Sequence, residues 1–78
     1  MREKQLWLVL TFHTTTAAMA MEKMCAQQGL PGRLIPVPRE ITAGCGMAWR
    51  GPVDGKQALL NAAAAAAIPV DGVYEIML

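Results

Sequence analysis

A chain of 78 residues has room for one hydrophobic core, and so reads as a single domain over residues 1–78. Seven Lys plus Arg against six Asp plus Glu leave a formal charge of +1. That excludes the basic footprint of a nucleic-acid binder and the polybasic patch of a protein held on anionic membranes. Two cysteines and one histidine cannot form a disulfide framework, and a four-ligand zinc site would have to lean on carboxylates.

The opening "MREKQLWLVLTFHTTTAAMA" imitates a signal peptide: a basic start, an apolar run and small residues. Its uninterrupted apolar run, Leu6 to Leu10, is short. Cleavage near Ala20 would also discard a sizeable part of a core that is marginal at this chain length. No stretch approaches the roughly 20 apolar residues that span a bilayer. The expectation is a cytoplasmic protein with reduced thiols.

Leu6, Leu8, Leu10 and Phe12 alternate with Trp7, Val9 and Thr11, the period-two pattern of a strand. His13 follows, and then Thr14-Thr15-Thr16, whose hydroxyls suit a helix amino-terminal cap. Ala17 to Gln28 is rich in helix formers, with Ala17, Met21, Met24 and Gln28 on one stripe and Ala18 and Cys25 beside it. The methionines Met19, Met21 and Met24 read as core filling, and Gly29 as the left-handed helix stop. Arg33 to Val37 is a short strand; Pro36 and Pro38 cannot donate to a ladder, which puts it at a sheet edge. Met47 to Trp49 is the next strand, with Trp49 facing the core. Asp54 is expected to cap a second helix running through Leu59 and Leu60 into the tract Ala62 to Ala67, whose small side chains suggest close approach to the sheet. Pro69 stops that helix, Asp71-Gly72 turns the chain, and Val73 to Met77 is the last strand.

The order β-α-β-β-α-β predicts an α+β ferredoxin-like fold, a four-stranded antiparallel sheet with two helices on one face. Crossover handedness is taken to set the first and third strands side by side and parallel. On that basis Cys45 lies at the same end as the start of the first strand, near the carboxyl end of the first helix. His13 then falls roughly 15–20 Å away at the opposite end. This argues against a Cys45–His13 dyad and leaves a Cys25–Cys45 encounter open. Trp7 is expected beside Val9 on the sheet face away from the helices, where an apolar patch would serve partners or self-association.

The segment "PREITAGCGMAWR" sets Cys45 between Gly44 and Gly46. Together with "GLPGRLIPVPREI", the opening "LVLTF" and "GVYEI" near the end, it resembles the selenium/sulfur carrier-like family over most of the chain. In this resemblance the motif cysteine is Cys45 and its following glycine Gly46. Family members commonly carry serines before the cysteine, where this chain has Thr42-Ala43-Gly44. The resemblance implies a non-enzymatic carrier that holds a persulfide or selenopersulfide on Cys45. It implies as donor a cysteine desulfurase or selenocysteine lyase, and as acceptor a sulfur- or selenium-accepting enzyme. No nucleic acid, membrane, metal or cofactor enters this reading.

Such chemistry needs a thiolate and access to it. Gly44 and Gly46 remove side-chain bulk on both sides, turn N–H groups can form an anion nest, and Arg39 in the same loop adds positive charge. Arg33 and Arg50, toward the other end of the hairpin, rank lower. The plainer alternative is an ordinary hairpin thiol, with Arg39-Glu40 a solvated turn pair and His13 a helix-entry residue. Two other functions fit the residues: an interaction module using the sheet face around Trp7, and a redox sensor joining Cys25 to Cys45. An RNA-binding reading fails because "GMAWR" lacks the aromatic strand motif, and a copper-chaperone reading lacks a Cys-x-x-Cys loop.

Overall fold

Alternation at the amino terminus, helix-forming runs in the middle and glycine or proline at each junction produce six regular elements in the computed structural model. The model describes residues 4–41 and 46–78. They are β1 (Leu6–Thr11), α1 (Thr15–Gln28), β2 (Arg33–Pro36), β3 (Met47–Pro52), α2 (Lys56–Ala65) and β4 (Gly72–Met77), with a short 3₁₀ turn, Val53–Gly55, ahead of α2. The arrangement is the expected α+β ferredoxin-like one. No helix among the described residues is long and apolar enough to cross a membrane.

The sheet order is β2-β3-β1-β4, and every neighbouring pair is antiparallel. The parallel pairing expected for the first and third strands is therefore wrong. The physical reason is simple. α1 carries the chain back so that β2 runs in the direction of β1, and the β2–β3 hairpin then reverses it. In register, Thr11 faces Ala48 and Leu8 faces Gly51. The start of β3 thus lies at the carboxyl end of β1, beside His13, and not at its start.

The helix face of the sheet holds the larger core: Leu8, Leu10, Phe12, Trp49 and Leu59 with Met21, Met24 and Cys25 of α1. Burying each large side chain contributes about 1.5–3 kcal/mol, so this layer supplies most of the stability. Met19 is the exception to the methionine expectation; it points outward and is 58% exposed. α2 meets the sheet at Leu59, whose Cδ1 would stand 2.8 Å from a side chain placed on Gly51. Of the alanine tract only Ala63 is buried and Ala62 half-buried, so close approach is confined to one turn of that helix.

Both helices end in left-handed residues. Thr14 caps α1 as expected, its hydroxyl accepting from Ala17 N–H at 3.1 Å, and Gly29 closes it at φ 67°. Asp54 does not cap α2: the 3₁₀ turn moves the helix start past it, and Gly55 takes the cap position without a side-chain bond. At the far end of α2 the amides of Ala67 and Ile68 donate to Ala64 and Ala63 at 3.1 and 2.9 Å. This is the Schellman arrangement, with Ala67 rather than glycine at φ 56°.

The second face of the sheet is not open. Val9 is fully buried there with Ala48, under Ile41 from the β2–β3 connection. The guanidinium of Arg50 lies 4.2 Å from the centroid of the Trp7 ring. The apolar patch expected around Trp7 and Val9 is thus largely covered by the protein's own chain.

Candidate functional site

The β2–β3 connection is tied down before and after its central segment. Val37 N–H donates to Gly46 O at 3.0 Å, closing the loop at its base. Ile41 N–H donates to Pro38 O at 2.9 Å, which makes Pro38–Ile41 a turn. Pro38 fixes φ where the chain enters the turn, and the fourth position turns the isoleucine inward, where it is buried against Val9 and Ala48. Ile41 is the residue that sequence reasoning missed. A single isoleucine in a proline- and glycine-rich stretch carries no periodicity to reveal its face.

Arg39 and Glu40 occupy the exposed crown of that turn, and among the described residues neither makes an ion pair. Gly46 is exposed at φ 95°, and a Cβ built on it meets nothing within 4 Å among the described residues. Its glycine identity therefore answers a backbone demand. Thr42, Ala43, Gly44 and Cys45 lie outside the described residues, so two of the four site residues read from sequence, Cys45 and Gly44, have no described position; Arg39 and Gly46 do.

The antiparallel register changes which residues share an end with Gly46. Extending the Thr11–Ala48 pairing outward brings His13 opposite Gly46. His13 Nε2 stands 2.8 Å from Asp71 Oδ1, with His13 largely exposed and Asp71 partly buried. The amino end of α1, with its positive dipole end, starts just beyond, at Thr15. Thr11, on the second sheet face, is fully buried, and its hydroxyl has no hydrogen-bond partner among the described residues.

Cys25 belongs to the other end. It sits ten residues into α1 from Thr15, roughly 15 Å along the axis at 1.5 Å per residue, and is only 1% exposed. The segment after α1 packs by the end of β3, with Pro31 O 3.5 Å from a side chain placed on Gly51. Burial pushes the Cys25 thiol up from its ordinary value of 9.0. A disulfide needs Cα atoms within about 7 Å, a poor match for a thiol enclosed at the end of the sheet remote from Gly46. Among the described residues no cluster of His, Cys, Asp and Glu could hold a metal ion.

A small α+β domain with a glycine-flanked cysteine step in its central hairpin is the class that fold and sequence define. The family model described as "Putative Se/S carrier protein-like" matches residues 8–75, and the chain belongs to that family. No curated protein and no solved structure gives a significant match.

Proposed function

We propose that this chain carries sulfur or selenium at the zero-valent level on Cys45. The observation that carries the reading is the family match over residues 8–75, a span that includes the Cys45-Gly46 step. The state of the other thiol supports it: Cys25 is enclosed in the core with its pKa raised, which suppresses the nucleophilic thiolate there. Gly46, the residue bonded to Cys45, is exposed. His13 and the amino end of α1 lie toward the same end of the sheet, and the positive end of the helix dipole there favours a thiolate.

The transfer balances without an external oxidant. The Cys45 thiolate attacks the terminal sulfur of a persulfide on the donor enzyme. A bond forms between Cys45 Sγ and that sulfur as the donor's own S–S bond breaks. The donor cysteine leaves as thiolate and takes up the proton of the transferred group. Selenium moves in the same way as a selenopersulfide. The acceptor then repeats the exchange on Cys45. The donor of this reading is a cysteine desulfurase or a selenocysteine lyase, working inside a transient protein–protein complex in the cytoplasm, and the chain itself is not an enzyme.

Intact mass tests it. After incubation with a desulfurase and cysteine, or a lyase and selenocysteine, the chain gains one sulfur or one selenium. The gain is reversed by reductant and absent in Cys45→Ser. Equal loading of Cys45→Ser through Cys25, or no gain with either donor, refutes the reading.

A further inference from the structure

The sheet ends in two unlike edges. β2 is short, is closed by Pro36, which has no N–H to offer, and is followed two residues later by Pro38. β4 presents Gly72–Met77 with no proline and no lysine, the residues that usually guard an edge. Gln5 and Leu78 exchange both of their backbone hydrogen bonds, at 3.1 and 3.0 Å. Counting along the register from that pair, Trp7–Ile76 and Val9–Tyr74 are the hydrogen-bonded pairs. The peptides of Val73, Glu75 and Met77 therefore point away from β1, out of the sheet. Side chains along this margin are bare as well: Val73 is 42% exposed, Met77 50% and the adjoining Leu6 41%. Lys56 Nζ, at the start of α2, stands 3.9 Å from Glu75 Oε2, with both groups close to half exposed.

We propose that β4 is the edge through which two copies of this chain pair, antiparallel, merging their sheets about a two-fold axis at Glu75. A second copy is the occupant that fits. Pairing centred on Glu75 makes hydrogen-bonded pairs of the three outward peptides, Val73 with Met77 of the other copy and Glu75 with its own equivalent. The same register sets Val73 against Met77 on the helix face and Tyr74 against Ile76 on the other, apolar pairs of the kind that stabilise sheets. The only like-charge contact, Glu75 against Glu75, is flanked by a Lys56 from each copy, so the axis carries two positive and two negative charges. The proline-closed β2 edge cannot continue the ladder, so assembly stops at a closed dimer and does not run on as a fibre. This pairing uses none of the thiol chemistry and stands apart from the carrier reading.

An edge-to-edge contact is small, so the dimer belongs to the weak, concentration-dependent class. The test is sedimentation equilibrium of the full chain in reductant, from low micromolar to about 1 mM, the range in which a weak complex forms. The mass should rise from 8.4 kDa toward twice that value. Over the same range the amides of Val73, Glu75 and Met77 should gain protection from exchange, while those of Tyr74 and Ile76 are protected throughout. Lys56→Glu leaves four negative charges at the axis and should give monomer; adding Glu75→Lys should restore the dimer. Val73→Pro removes an outward N–H that the ladder with β1 does not use, and should give a folded monomer. A wild-type chain that stays at monomer mass through about 1 mM overturns the proposal. So does a dimer that survives both Lys56→Glu and Val73→Pro, since it would use another surface.

Discussion

Replacing Gly46 by alanine separates what the loop backbone requires from what the thiol does. Among the described residues an added Cβ would meet nothing within 4 Å, so the cost is that of holding an L residue at φ 95°. Left-handed backbone costs an L residue about 1–2 kcal/mol. In a domain of this size each kcal/mol moves the melting temperature by about 4–8 °C. Gly46→Ala should therefore lower Tm by roughly 4–16 °C, read by circular dichroism. Below its melting range it should still accept sulfur at Cys45. Gly32→Ala should cost more: its φ of 125° adds strain, and its Cβ would also overlap the Arg50 carbonyl and come within 2.5 Å of Trp49 Nε1. A synthetic chain with D-alanine at position 46, which favours positive φ, should melt near the wild type. If Gly46→Ala melts within about 1 °C of wild type, far below the cost of a left-handed residue, the argument from positive φ fails.

Ala67→Gly should stabilise the protein by about 0.5–1 kcal/mol, because it puts glycine at the left-handed end of α2 as Gly29 already does for α1; urea midpoints check it. Ile41→Ala should cost about 2 kcal/mol, the low end for a buried isoleucine truncated at the margin of a core, and should raise amide exchange at Val37, whose partner is Gly46 O. The Cys25 pKa is higher folded than unfolded, so its contribution to stability is complete below pH 9 and is lost as pH climbs past that value. The urea midpoint of wild type should therefore fall above pH 9 by more than that of Cys25→Ala. His13→Ala should move stability by less than about 1 kcal/mol, since its bond to Asp71 is a largely exposed one. It should nonetheless slow sulfur loading at Cys45 measured by mass, and unchanged loading would remove His13 from the site.

Local chemistry was legible in the sequence where one residue decides one feature. A threonine ahead of an apolar helix, a glycine behind it, alternation in β1 and prolines at an edge each have a single structural answer. Relative placement was less legible. The direction of β3 against β1 depends on counting every chain reversal between them, and one miscounted reversal moved His13 from the near end to the far end. Ile41 was hidden because it stands alone in a non-periodic connection and its partner Val9 is remote in sequence. Met19 sits among helix-stripe methionines yet faces water: the buried stripe of α1 runs Ala17, Ala18, Met21, Met24 and Cys25, and position 19 falls on the far side of it. Asp54 has the right chemistry for a cap but is one residue early, because Val53–Gly55 coil as a 3₁₀ turn first.

The enclosure of Cys25 has a consequence for how a carrier of this build would unload. A persulfide beside a second accessible thiol is quickly resolved to a disulfide, and the sulfur is lost as sulfide. Here the second thiol is 1% exposed, kept protonated by burial, and packed at the end of α1 remote from Gly46. Reaching it would require α1 to leave the sheet, taking Met21 and Met24 with it at about 1.5–3 kcal/mol for each large side chain exposed. Sulfur held on Cys45 would then depart only when an acceptor brings its own nucleophile. Making Cys25 reachable, rather than removing it, is the informative perturbation. Met21→Ala opens a cavity over α1, and the loaded form of that variant should lose its extra sulfur faster than wild type without any acceptor present. A loaded Met21→Ala/Cys25→Ala double variant should keep its sulfur as long as wild type does. If the single and double variants discharge alike, the burial of Cys25 is packing alone and plays no part in retaining the cargo.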